Sequence, residues 1–235
     1  MSLRNMIKGW VGETMGAAAQ WAFLDKSIYT SINNVTIPAK GGTTQIDHVI
    51  VSKYGIFVVE AKNIDGWIFG DEKSAQWSVV KPGGKYRMQN PLRQNYRHTM
   101  AISEFLNIDH EKLHSMVMFW GECEFKTQMP ANVMRDGYAT YIKSFDKVLF
   151  EDEVPSIVEA LKTGMLPKTW ATRREHIASL QARHSSKTTC PKCAEPLVLR
   201  TVKSGAKAGS TFYGCSAYPK CRFMTSSGDE GSSPA

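Results

Sequence analysis

Residues 46–63 read IDHVIVSKYGIFVVEAKN. Two runs rich in Val, Ile and Phe flank Lys53-Tyr54-Gly55, the pattern of a β-hairpin whose arms, about Thr44–Ser52 and Ile56–Lys62, lie in a core. Asp47, Glu60 and Lys62 interrupt that apolar character. Ionisable groups inside a sheet are costly unless they pair with one another or with a metal. Side chains at i and i+2 share a face, so Glu60 and Lys62 point the same way as Val58, while Phe57, Val59 and Ala61 point oppositely. With the turn centred between Lys53 and Tyr54, Asp47 stands opposite Glu60, and cross-strand neighbours approach to about 5 Å. A three-residue loop using Gly55 would shift that register by one.

Two opposed carboxylates repel each other. A hard divalent cation relieves this, since Mg²⁺ is bound through one or two carboxylates and keeps several waters. Lys62 beside such an ion could hold a water or offset phosphate charge. The plainer alternative is a buried Asp–Lys or Glu–Lys pair with a spare carboxylate at the rim. His48 faces away from Asp47 and reads as a structural histidine.

Working outward, an apolar stripe predicts an opening helix over about Asn5–Leu24 that carries Glu13. A strand and loop follow, then the hairpin, then short antiparallel strands broken at Asp71-Glu72 and at Pro82-Gly83-Gly84. Asn90 followed by Pro91 marks a helix start, with Gln94 and His98 beyond it and His98 expected on the surface. HSMVMFW is expected to be a buried strand and YATYIKSF another. A helix over about Glu151–Lys162 ends at Gly164, and LPKTWATRREHIASLQARHSS reads as a basic connecting helix. Helices and strands in this order indicate a mixed α+β sheet domain rather than regular βαβ repetition. Neither GxGxxG nor GxxxxGK[ST] occurs, so dinucleotide and ATP chemistry find no support.

The formal charge of +7 is unevenly distributed. Residues 1–164 hold eighteen basic and eighteen acidic side chains, so the whole excess lies in residues 165–235. Such a segment is a solubilising tail or attracts a polyanion such as nucleic acid. Four of the five cysteines fall there too, spaced C-x2-C-x21-C-x5-C: Cys190, Cys193, Cys215 and Cys221. Two close thiol pairs about twenty residues apart suit a closed, tetrahedral structural Zn²⁺ site in a segment too small to fold well unaided. A redox CxxC and two disulfides are the competing readings. Cys123 reads as a small buried hydrophobe. The sequence has neither an apolar membrane span nor a secretory h-region, so the expectation is a cytoplasmic protein without a membrane partner.

Two resemblances sharpen these readings. GGTTQIDHVIVSKYGIFVVEAKNIDGWIFG, then QWSVV and NPLRQNYRH, with GWVGETMGAAAQWAFL upstream, resemble the NERD or nuclease-related domain of the PD-(D/E)xK superfamily. The likeness implies a restriction-endonuclease-like core that hydrolyses DNA phosphodiesters with Mg²⁺ or Mn²⁺. It implies Asp47 and Glu60 as Mg ligands, Lys62 as the catalytic lysine, Glu13 as a helix-borne acid and Gln94 as the polar residue orienting substrate or water. Ile46 stands where the superfamily name has proline. CPKCAEPLVLRTVKSGAKAGSTFYGCSAYPKCRF resembles the C-terminal zinc ribbons of bacterial type IA topoisomerases, which bind single-stranded DNA. Lys192, Arg200, Lys203, Lys207, Lys220 and Arg222 would then meet phosphates, with Tyr213 and Tyr218, alongside Phe212 and Phe223, available to stack on bases. The expected organisation is a nuclease-like domain over 1–164, a basic connecting helix over 165–187, a zinc ribbon over 188–226 and a disordered tail over 227–235. The alternatives are a DNA- or RNA-binding clamp that no longer cleaves, and a structural partner within a larger complex.

Overall fold

The computed structural model describes residues 24–226 except 187, 192, 194 and 220. The expected opening helix with Glu13, the side chains of Lys192 and Lys220 and the expected disordered tail lie outside the described residues. Packing divides the chain into two compact units, the first comprising residues 24–39 and 43–172 and the second residues 40–42 and those from Arg173 onward.

The first unit is a mixed α+β structure built around β2 (Gly42–Ser52) and β3 (Gly55–Asn63). Lys53 and Tyr54 make the turn, and the register Ser52↔Gly55 through His48↔Val59 is the one in which Asp47 would face Glu60. Gly55 closes the turn at φ 121°, where an added Cβ would lie 2.6 Å from His114 Nε2. A larger residue there has neither the backbone conformation nor the space. β1 (Thr30–Ala39) lies beside β2, and β7 (Leu113–Trp120) runs parallel to β3, with β9 (Val133–Met134) beyond it in the order β1-β2-β3-β7-β9. A parallel pair needs a crossover, and α1 (Pro91–Leu106) lies within it.

β3 and β7 continue together into a second, four-stranded sheet through the bonds Ile64 N to Trp120 O and Gly66 N to Glu122 O. Its order is β6 (Gly84–Gln89), β5 (Gln76–Lys81), β4 (Gly66–Phe69) and β8 (Cys123–Phe125). Ile68, Trp77 and Cys123 pack there against Val117 and Phe119, so Cys123 is the buried apolar residue its sequence context suggests.

Alternation sorts the main sheet's core. Val49, Val51, Ile56 and Val58 pack with Ala101 and Ile102 of α1 and with Ile157 and Leu161 of α3 (Glu153–Gly164). Ile50, Phe57, Val59, Met116 and Met118 pack on the opposite face with Tyr138 and Ile142. The segment YATYIKSF, expected as a strand, is instead the helix α2 (Tyr138–Lys143), entered from Gly137 at φ 72°. Tyr138 and Ile142 are its two buried residues and stand four apart, a helical spacing that a short apolar run hides among β-prone residues.

α1 is the element that carries side chains to the hairpin. Asn90 caps it by accepting from Leu92 N at 3.0 Å, while its Nδ2 donates to the carbonyls of Asp71, Glu72 and Ser74. The buried stripe Pro91, Asn95, His98, Thr99 and Ile102 follows the spacing of one helical face. Fully buried Asn95 donates to Val58 O at 2.8 Å and Met116 O at 2.9 Å, which fixes α1 across the β3–β7 pair. Asn95→Ala is expected to destabilise the domain by about 2 kcal/mol, read as a lower midpoint in urea unfolding followed by tryptophan fluorescence. An unchanged midpoint would mean that Asn95 does not anchor the helix.

Apart from residues 40–42, the second unit begins within α4 (Trp170–Ser185) and continues into an antiparallel three-stranded sheet. Its strands are β10 (Leu197–Thr201), β11 (Thr211–Cys215) and β12 (Met224–Ser226). No described helix in either unit is long and apolar enough to cross a membrane.

Candidate functional site

The β2–β3 ladder stops at His48↔Val59, although both strands continue. At the next position Ala61 N donates to Asp47 Oδ2 at 2.8 Å, so a side-chain carboxylate takes the part of a backbone acceptor. Glu60 lies in the same opening and is only 3% exposed. Lys62 Nζ donates to Glu60 Oε1 at 2.5 Å and to Gln94 Oε1 at 3.0 Å. Lys62 is thereby shared between its own strand and α1.

His98 lies beneath Glu60 and is not the surface residue that its sequence position suggests. Its Nε2 approaches Glu60 Oε2 to 3.3 Å, within ion-pair range but without the alignment of a hydrogen bond. Its Nδ1 contacts Thr44 Oγ1 at 2.8 Å. Burial pushes the Glu60 carboxyl pKa upward, yet the Lys62 ammonium and the His98 imidazole outweigh burial and hold it below the usual value. Glu60 is therefore a buried carboxylate kept ionised at neutral pH by two neighbours.

His48 takes the other side of β2. Its Nδ1 contacts Asn33 Oδ1 at 3.0 Å, and its Nε2 has no hydrogen-bond partner among the described residues. Burial pushes its pKa down to about 4, so the ring is neutral at physiological pH. The expectation of a structural histidine fits this environment, although only one of its two nitrogens is satisfied within the described residues.

In the second unit the sulfurs of Cys190, Cys193, Cys215 and Cys221 all lie within 4.8 Å of one another. Cys190 Sγ and Cys221 Sγ are 3.7 Å apart, and Cys193 Sγ and Cys215 Sγ 3.3 Å. Tetrahedral zinc with bonds of about 2.3 Å would set sulfurs about 3.8 Å apart. The four thiols therefore fit one closed structural zinc site.

Comparison with known proteins agrees with both geometries. Residues 8–120 match the nuclease-related domain, NERD, and residues 187–229 match the topoisomerase DNA binding C4 zinc finger. The chain carries a nuclease-related domain and a topoisomerase-type zinc ribbon. An uncharacterized protein of Bacillus anthracis is 41% identical over 120 residues, which is 51% of this chain and 56% of that relative. The chain thus spans just over half the length of that relative. No solved structure matches. These matches relate the chain to nucleases and to nucleic-acid-binding modules, and the mixed sheet is consistent with a nuclease-like core.

Of the residues singled out in the nuclease-related domain, the fold brings Asp47, Glu60, Lys62 and Gln94 to one opening in the sheet. Sequence reading missed Thr44 and Asn95 and misplaced His98. The four-residue spacing from Gln94 to His98 was the available signal, because both then face the same strand.

The zinc ribbon sorts its candidates differently. Arg200, Phe212, Tyr218, Arg222 and Phe223 line a groove of about 270 Å³ beside the cysteines. Arg200 lies over the Tyr218 ring at 5.8 Å and donates to Cys215 O at 3.3 Å. Tyr213 pairs with Leu199 and so lies on the opposite face of β11 from Phe212, whose partner is Arg200. Lys203 and Lys207 are exposed on the connection between β10 and β11. Metal analysis of the purified chain is expected to return one zinc, and Cys215→Ser is expected to lose it together with the ribbon's protease resistance. Equal zinc in both proteins would exclude a four-cysteine site.

Proposed function

We propose that this protein is a Mg²⁺-dependent DNA nuclease whose zinc ribbon binds single-stranded DNA. The observation that carries the reading is the meeting of Asp47, Glu60, Lys62 and Gln94 at the point where the β2–β3 ladder opens. A structural ion pair would need neither the second carboxylate nor a helix-borne amide on the lysine.

Asp47 and Glu60 are hard oxygen donors of the kind Mg²⁺ takes, and they would hold it. The bound ion would supply charge against the phosphate oxygens and a more acidic water. Glu60 remains ionised because Lys62 and His98 offset its burial, so a ligand charge is available at neutral pH. Gln94 accepts from Lys62 Nζ and limits the directions in which the ammonium can point. Held this way, Lys62 can donate to a phosphodiester oxygen as charge builds on it in the transition state, the form of stabilisation that positioned donors supply best. Glu13 enters this reading through the family resemblance alone.

In the ribbon, Arg200 and Arg222 would meet phosphates while Phe212 and Tyr218 stack on bases. Lys203, Lys207, Lys192 and Lys220 would add to the general attraction of the strand. Tyr213, on the other face of β11, is assigned to the ribbon's packing instead.

A second reading is a clamp that binds without cutting. The observation favouring it is that both oxygens of Glu60 already face cationic or polar partners, Lys62 and His98.

Labelled single- and double-stranded DNA, incubated with Mg²⁺ and with EDTA, separates the two readings. We expect Mg²⁺-dependent cleavage by the wild type and a fall of roughly a hundredfold or more in Lys62→Ala and Glu60→Gln, with DNA affinity and zinc content retained. Tight binding without cleavage under any divalent metal would leave the clamp.

A further inference from the structure

The four-stranded sheet of the nuclease-related domain has one face in the core and one in solvent. Ile68, Trp77 and Val79 fill the inner face and are fully buried. On β4 the alternation places Trp67 and Phe69 outward, 51% and 38% exposed. The solvated face of an antiparallel sheet is ordinarily polar, so two exposed aromatic rings two residues apart on one strand call for a reason.

The register supplies their neighbours. Trp67 pairs with Glu124 on one side and Val80 on the other, and Val80 pairs with Lys85. Phe69 pairs with Ser78, and Ser78 with Arg87. Lys126 lies over the Trp67 ring at 4.8 Å and pairs with Glu124 at 2.6 Å. Around the two aromatic rings therefore stand the cations Lys85, Arg87 and Lys126, and Glu124, the carboxylate directly beside Trp67, is paired with Lys126. Trp67 and Phe69 are about 7 Å apart along the strand. Sheet-borne aromatics bordered by cations are a recurring means of holding single strands, each ring stacking on a base and each cation meeting a phosphate.

We propose that the outer face of the β6-β5-β4-β8 sheet, through Trp67, Phe69, Lys85, Arg87 and Lys126, is a single-stranded DNA-binding surface separate from the zinc ribbon. The choice of DNA rests on the nuclease reading above; the stacking surface itself does not. Charge complementarity selects this occupant over a second copy of the chain, because the face is cationic and would meet its own like charges in a symmetric contact.

The test uses the full, zinc-loaded chain without added Mg²⁺ and fluorescein-labelled oligo(dT), with oligo(U) as a parallel arm. Trp67→Ala/Phe69→Ala should weaken oligo(dT) binding roughly tenfold or more. Lys85→Ala/Arg87→Ala should lower the salt dependence of log Kd by about 0.7 for each cation removed. An iodouracil-substituted strand should crosslink to Trp67 or Phe69 in the wild type, including in an Arg200→Ala/Tyr218→Ala background where the ribbon's groove is disabled. All four substituted residues of the sheet are exposed, and unchanged unfolding midpoints will verify that the fold survives. Unchanged affinity in the aromatic variant, crosslinks confined to the ribbon, or tighter binding of oligo(U) than of oligo(dT) would overturn the proposal. So would a wild-type dimer that the aromatic variant dissociates without loss of DNA affinity. Loss of binding in these variants from a chain that never cleaves DNA would remove the nuclease reading and leave this surface standing.

Discussion

The organisation of the first unit turns on one buried charge, the Glu60 carboxylate. A carboxylate so nearly excluded from water is costly unless cationic neighbours compensate it. Here Lys62 supplies the cation from the same strand, and the His98 imidazole, from α1, lies 3.3 Å from the other carboxylate oxygen. Gln94 fixes Lys62 and Thr44 fixes His98, so strand β2, strand β3 and helix α1 all contribute to holding one group. The helix can do this because Asn90 caps its start and Asn95 ties it to the carbonyls of β3 and β7. The fold's polar interior is concentrated where those three elements meet, while the sheet faces on either side are packed with Val, Ile, Phe and Met.

The second unit relies on a different constraint. Its strands expose Leu199 and Met224, and few apolar side chains are buried beside the cysteines. A sheet of three short strands without a large core is marginal in water. Convergence of four thiols provides the missing free energy once zinc is bound. The donation from Arg200 to Cys215 O joins that centre to the aromatic groove, which lets a metal-held loop position a side chain suited to nucleic acid.

Much of this was readable from residue order alone. The hairpin, the Asn90-Pro91 helix start and the breaks at Asp71-Glu72 and Pro82-Gly83-Gly84 follow from short-range chemistry, and of the two registers open to the hairpin the structure has the one with Lys53 and Tyr54 in the turn. The cysteine spacing likewise implied a cluster, and the four sulfurs meet. What escaped was set by tertiary packing. Residues 138–143 are β-prone in composition, yet their core-facing pair is four apart and the segment is helical. His98 looked like a surface residue because nothing local reveals that a carboxylate waits across the helix–sheet interface. Asn95 gave no signal, since its acceptors are carbonyls far along the chain. Tyr213 and Tyr218 could be separated only once the β10–β11 register set Tyr213 beside Leu199 and the turn after β11 brought Tyr218 to Arg200.

The claim that Asp47 and Glu60 form a divalent-cation site is tested most directly by binding, apart from any catalysis. Mn²⁺ titrated into the zinc-loaded chain and followed by electron paramagnetic resonance counts bound ions without requiring turnover. The account predicts a single site from which Mg²⁺ displaces Mn²⁺, with affinity lowered roughly tenfold or more in Asp47→Asn. Equal Mn²⁺ binding by the wild type and Asp47→Asn, or none by either, would mean that the charges in the hairpin serve only the fold.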